Sequence, residues 1–546
     1  MKKAFSILLV MLLLIAVSGT IFAGGNQEEP AAGDSADSNA APAAEAKDKN
    51  GGVLVFARGG DSVGLDPARE TDGESYYGCT QVFDNLVEFK EGTTEVQPAL
   101  AESWTVSDDG LEIVFKLRSG VKFHDGTDFN ADAVVFSLGR QLYEDHPYHE
   151  YGPWKYWGYM DMSNIVQDII AVDNLTVKFI LQKTEAPIIA NLAMDFAGIV
   201  SPAAVEKYGE DFPNNPVGTG PFKFVSWKKE DSMVFEKNAD YWRRPAYLDR
   251  LIIRVIPDAT ARYLALQKGE VDIIDFPSPE DLEDMKANPD IKVIQQEGLN
   301  VGYLAFNCDK EPYTDKRVRQ AMNYAVNKDE IIAGVYGTAG APAKNPIPPG
   351  MWSYNDSIEP YEYNPEKAKA LLAEAGYADG FSTTLWAMPV ARPYNPNGRK
   401  VAEIMQAHLA DVGVTAEIVS YDWGTYLEKT DHGEHDAALL GWTGDNGDPD
   451  NFLFVLLSIA AAEVPAGNIA FWKNEEFNSL VEEAKVTMDV AKRTALYEEA
   501  QVVFHEEAPW LPIAHSVVSE PMQNYVMDFQ LSPVGKRQFY NVWLDN

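Results

Sequence analysis

Several groups of residues in this 546-residue chain carry side chains capable of chemistry. Gly60-Asp61-Ser62-Val63-Gly64 has the G-x-S-x-G spacing of a nucleophile elbow and follows an apolar strand-like run. An elbow must pass directly into a helix and needs an oxyanion-hole segment. Leu65-Asp66-Pro67 breaks any helix there and no His-Gly-Gly-Gly segment exists, so a turn is the better reading. His432 and His435, beside Glu434 and Asp436, are the best metal candidates, although a polar loop is the better reading of them. His505-Glu506-Glu507 lacks the second His of a zincin helix. Asp445-Asn446-Gly447-Asp448-Pro449-Asp450 is acidic, but Gly447 and Pro449 interrupt the alternating oxygen donors of a calcium loop. No metal and no cofactor are expected.

Another constellation is chemically coherent. Arg392 lies in a loop stiffened by Pro393 and Pro396, and Trp442-Thr443-Gly444-Asp445 leaves a second apolar run. A guanidinium binds carboxylate bidentately and a carboxylate binds ammonium, so Arg392 and Asp445 could clamp the two ends of a zwitterion. They could equally pair with each other or lie solvated. Residue type and spacing do not separate these readings.

The elements that must position these residues alternate along the chain. Short strands are expected at Val53 to Phe56, Leu111 to Leu117, Thr176 to Leu181 and Leu251 to Ile256. Ser119-Gly120 reads as a turn that folds Val121 to Phe123 back as a hairpin. The second half is more regular. Strands are expected at Val301 to Asn307, Ser382 to Met388, Asp436 to Trp442 and Leu511 to His515. Helices are expected at Lys316 to Tyr336, at Pro365 to Ala375 capped by Asn364, at Arg399 to Val412, and from the cap Asp489 to Glu507. The apolar run Phe452 to Ala462 reads as a buried helix. Such alternation implies α/β lobes with ligands beyond strand ends, the first lobe being richer in strands.

Composition narrows the partners. There are 83 acidic and 45 basic residues, a formal charge of −38, which opposes nucleic acid and anionic membrane as ligands. Residues 1–23, with Lys2, Lys3 and an apolar run from Ile7 to Val17, read as a signal peptide. That run is short for a membrane span, and no cysteine stands at the cut for acylation. Residues 24–50 form an acidic, low-complexity linker expected to be disordered. Taking both segments away leaves −36 on residues 51–546, so the charge belongs to the folded body.

The sequence resembles the extracellular solute-binding family 5, and within it the dipeptide binders of ABC importers. The likeness runs from about Gly51 to Asn546. It is carried by Leu86-Val87-Glu88-Phe89-Lys90, Gly120-Val121-Lys122-Phe123-His124-Asp125, Gly298-Leu299-Asn300-Val301-Gly302-Tyr303-Leu304 and, most specifically, Trp386 to Asn397 and Gly441 to Phe452. The resemblance implies a two-lobed periplasmic-binding-protein clamp of three α/β domains. These are domain I (51–82, 216–299 and 516–546), a β-rich domain II (83–215) and domain III (300–515). It implies that Asp445 receives a dipeptide's α-ammonium and Arg392 its α-carboxylate. Tyr394 would lie beside the Arg392 loop and Trp423 would wall a side-chain pocket. Trp442, Thr443 and Gly444 would line the Asp445 side, and Gly73, in a divergent segment Thr71 to Ser75, would approach from the first lobe.

It further implies a monomeric periplasmic carrier serving a permease in the inner membrane, with a chemoreceptor as a further candidate partner. Longer peptides, haem or a nickel complex are the rival ligands within the family, and a serine peptidase using Ser62 is the rival from another class. No catalytic residue is expected. Cys79 and Cys308, placed on different lobes by this partition, are expected to be free thiols.

Overall fold

The computed structural model describes residues 47–545. The expected leader, and the linker as far as residue 46, lie outside them.

From Lys49 onward the chain forms one unit. Its main sheet system runs, edge to edge, through Val414–Val419, Phe381–Trp386, Ala437–Thr443, Asn300–Phe306, Trp510–Gln523, Ile273–Ile274, Val53–Arg58, Arg250–Val255, Ser232–Lys237 and Phe222–Lys228. The central strand Trp510–Gln523 belongs to both halves. Its first part pairs with Asn300–Phe306 and Gly340–Pro342, and its second with Ile291–Glu297 and Ile273. Ile291–Glu297 and Asn300–Phe306 are themselves consecutive, so the chain crosses between the two lobes along both routes. The strand expected to stop at His515 therefore continues to Gln523, because every residue from Val517 onward finds an antiparallel partner. Position 515/516, a domain boundary in the sequence reading, falls inside this unbroken strand.

In the second lobe Phe381–Trp386 pairs in parallel with both Val414–Val419 and Ala437–Thr443. Parallel neighbours need a long crossover, supplied between the first two by the helix Gly398–Asp411. In the first lobe a separate antiparallel sheet orders Ala101–Val106, Glu112–Leu117, Thr176–Leu181 and Val166–Asp173. Glu112–Leu117 alternates exposed and buried residues, and its inward Phe115 meets Phe179 edge to face at 5.4 Å. Each such buried ring contributes about 1.5–3 kcal/mol relative to exposure. The helix Ala131–Leu142, capped by the Asn130 side chain on the Ala133 N–H, covers this sheet.

Two sequence expectations fail locally. No hairpin follows Ser119-Gly120: Glu112–Leu117 is paired on both sides by Ala101–Val106 and Thr176–Leu181, leaving no edge for Val121 to Phe123. The helix expected from Lys316 to Tyr336 breaks after Ala325. Val326 is extended, and Asn327 uses its side chain to cap a new short helix at the Glu330 N–H. Asparagine competes with the helical backbone in this way whenever a cap geometry is within reach. The other caps hold: Asn364 accepts from Lys367 and Asp489 from Lys492.

The lobes touch. Ala186 N–H donates to the Lys485 carbonyl at 2.9 Å, and Asn446 Nδ2 donates to Asn191 Oδ1 at 2.7 Å. The apolar cluster is continuous from Phe115 to Val301. Cys79 and Cys308 stand unpaired on different lobes. Burial pushes both thiols up, Cys308 to about 11, so neither is poised to react.

Candidate functional site

Two strand ends create the site. Phe381–Trp386 and Ala437–Thr443 run parallel, so their carboxyl ends open on the same edge of the sheet. That is where open α/β sheets place ligands. The Arg392 loop leaves the first strand. It is closed by reciprocal backbone hydrogen bonds between Arg392 and Asn395, at 3.0 and 2.9 Å. Asn397 then caps the helix Gly398–Asp411 through the Lys400 N–H. The Asp445 turn leaves the second strand. Asn451 Oδ1 fixes it by accepting from the Asp445 N–H at 2.8 Å and from Trp442 Nε1 at 2.9 Å.

Between the lobes lies a cavity of about 210 Å³. At roughly 10–15 Å³ per water-sized group, that is room for about 14–21 such groups. Arg392, Tyr394 and Trp423 border it, as do Trp442, Thr443 and Asp445. Gly73 reaches it from the first lobe. Gly444 does not border it. Its N–H bonds the Leu299 carbonyl at 2.7 Å, and a Cβ there would press on Phe452, so Gly444 turns the chain behind the wall.

Tyr394 lies across a slot made by Gly302 and Gly441, which face each other on adjacent strands. A Cβ on either glycine would collide with Tyr394. Trp423 begins the helix Trp423–Asp431, and its ring lies 5.3 Å from the Arg392 guanidinium.

The charges sort sharply. Each lysine or arginine bordering the cavity has a carboxylate of the protein's own. Lys155 meets Asp431 at 3.2 Å, Lys536 meets Asp195 at 3.1 Å and Arg537 meets Glu520 at 2.5 Å. Arg392 meets Glu74, from the opposite lobe, at 2.8 Å. Arg392 thus pairs neither with Asp445 nor with solvent, the two alternatives open in the sequence. Asp445 forms no ion pair among the described residues. It accepts from the Tyr156 hydroxyl at 3.0 Å. Burial pushes its carboxyl up to about 7, against the lowering effect of the Tyr156 and Asn451 hydrogen bonds.

Glu74 lies in the Thr71 to Ser75 segment expected to approach from the first lobe, but its carboxylate was not singled out, and no spacing signal marks Tyr156. Ser62, His432 and His435 serve as hydrogen-bonding groups within the fold. Ser62 Oγ donates to the Glu74 carbonyl at 2.8 Å and accepts from Arg58. His435 is buried with Nε2 against the Ile469 carbonyl, while His432 bonds its own helix at Glu428. Among the described residues no cluster of three or more His, Cys, Asp or Glu side chains could hold a metal ion.

The model of bacterial extracellular solute-binding proteins, family 5, matches residues 95–462. The chain belongs to this family. Two curated relatives match nearly end to end. The dipeptide-binding protein of Escherichia coli K12 is 47% identical over 90% of this chain and 95% of its own length. Heme-binding protein A of Haemophilus influenzae is 45% identical over 92% and 94%. Among solved structures, the ABC transporter-associated periplasmic binding protein DppA from Helicobacter pylori, in complex with the peptide STSA, superposes with a TM-score of 0.87. It is 40% identical and covers 91% of this chain and 99% of that one. As a family 5 member this chain is an extracellular binding protein and not an enzyme. No helix among the described residues is long and apolar enough to cross a membrane.

Proposed function

We propose that this protein is the periplasmic dipeptide-capturing component of an ABC importer. The observation that carries the reading is Asp445: a carboxylate facing the cavity with no cation of the protein's own. An α-ammonium arriving there gains a buried ion pair and the hydrogen-bonding partners already in place. Arg392, at the other strand end, faces the ligand's carboxyl end, and the Trp423 and Tyr394 rings offer apolar surface to side chains. The cavity's size supports two residues better than a porphyrin. The names of the dipeptide-binding relatives support the same reading.

The two crossings between the lobes, within Trp510–Gln523 and from Ile291–Glu297 to Asn300–Phe306, act as the hinge, closure buries the ligand, and the closed face meets a permease. The three-domain partition, export by residues 1–23 without acylation, the monomeric state and docking to a chemoreceptor belong to the same proposal. To test it, the protein is incubated with a dipeptide mixture and examined by native mass spectrometry. Retained intact dipeptides are the expected result. Free amino acids released in proportion to protein, or haem retained to the exclusion of peptides, would overturn it.

A further inference from the structure

The carboxylate on Arg392 is the protein's own. Glu74 is the second residue of the helix Gly73–Val82 on the first lobe, and it engages both guanidinium nitrogens, Nη1 to Oε1 at 2.9 Å and Nη2 to Oε2 at 2.8 Å. The two side chains are only 11% and 6% exposed, so this is not a solvated surface pair. Its position is enforced from behind. Asp72 caps the helix through the Ser75 N–H and hydroxyl, at 3.1 and 2.8 Å. Buried Arg58 and Ser62 both donate to the Glu74 carbonyl, and the Val63 N–H donates to Ser75 Oγ at 2.9 Å. The Gly60 to Gly64 segment, with its elbow-like spacing, thus serves to seat Glu74.

A ligand carboxylate directed at Arg392 would meet a guanidinium already bidentately filled and a like charge beside it. A ligand ending in an amide or a further peptide bond would leave the pair intact. We propose that Glu74 stands in for the ligand's terminal carboxylate on Arg392, so that this binder reads the amino end of a short peptide and accepts an uncharged carboxyl end. Glu74 is then a specificity-determining residue, and the substrate class widens to short peptides whose carboxyl end is amidated or extended. The inference rests on the dipeptide reading above.

The test is titration calorimetry of Ala-Phe and its C-terminal amide with the wild-type protein and with Glu74→Gln. The wild type should bind the amide at least as tightly as the acid, within about threefold, because no charge–charge contact is at stake at that end. In Glu74→Gln the guanidinium loses its bidentate carboxylate, so the preference should move toward the acid by about 100-fold or more. A wild type that favours the acid 100-fold, or an acid-to-amide ratio that Glu74→Gln leaves in place, would overturn the role of Glu74. The wild-type ratio needs no variant, so misfolding of Glu74→Gln cannot protect the proposal. A wild type that binds neither compound contradicts the dipeptide reading and this inference together, whereas one that binds both in the wrong ratio contradicts only the inference.

Discussion

Beyond the end of one strand Asp445 faces the cavity, held by Tyr156 and Asn451 and without a cation; beyond the end of its parallel neighbour, Arg392 is already closed off by Glu74 from the opposite lobe. Both groups are ionisable and only partly exposed, yet they are in opposite energetic states. A buried carboxylate without a counter-charge is destabilising until it is protonated or a cation arrives. A buried pair with bidentate geometry is satisfied before any ligand appears. One end therefore stores affinity for an ammonium, and the other ties the lobes together.

The largest expected effect tests the satisfied end. Arg392→Ala leaves Glu74 buried and unpaired and should lower unfolding free energy by about 3–5 kcal/mol in a denaturant titration. A loss under about 1 kcal/mol, the worth of an exposed pair, would mean that Glu74 and Arg392 do not hold each other.

The opposite outcome is expected at the other end. Asp445→Asn keeps the size and most hydrogen bonds but removes the charge. It should weaken dipeptide binding by about 100-fold or more, while the ligand-free protein melts no lower than wild type. Retained affinity would remove Asp445 from the site.

Next in size is the pH response of the same carboxyl. Its empty-state value near 7 lies above that of an unfolded aspartate. Its contribution to stability is therefore present in full below the unfolded value and lost as pH rises through about 7. Binding runs the other way. An ammonium requires the carboxylate, so affinity should fall by up to about tenfold per unit as pH drops below about 7, with proton release on binding. Calorimetry in buffers of different ionisation enthalpy reads that proton directly, and a flat profile between pH 5.5 and 7.5 would contradict the burial of an unpaired Asp445.

The smallest effect sharpens this. Tyr156→Phe removes a hydrogen bond that favours the charged form, so affinity should fall by about 1 kcal/mol and the pH midpoint should move upward. An unchanged midpoint would detach Tyr156 from Asp445.

Much of the frame was legible because local rules decided it. Asn364 and Asp489 cap helices because their side chains reach the N–H three residues on, and Thr176–Leu181 alternates as a half-buried strand must. Arg392 and Asp445 were legible as strand-end residues. Their shared cavity follows from the parallel pairing of Phe381–Trp386 with Ala437–Thr443. What escaped depends on partners distant in the chain. The hairpin after Ser119-Gly120 failed because Thr176–Leu181 had taken the edge it needed. The continuation of Trp510–Gln523 past His515 depends on Ile291–Glu297. Glu74 lies 318 residues from Arg392; its segment was expected near the ligand, but only the fold shows its carboxylate on Arg392.

The most direct test of the central claim, that an unpaired Asp445 captures a ligand ammonium, compares Ala-Phe with N-acetyl-Ala-Phe by titration calorimetry at pH 7.5. Acetylation, which removes only the ammonium, should weaken binding by about 1,000-fold or abolish it. Equal affinity for the two compounds would contradict it.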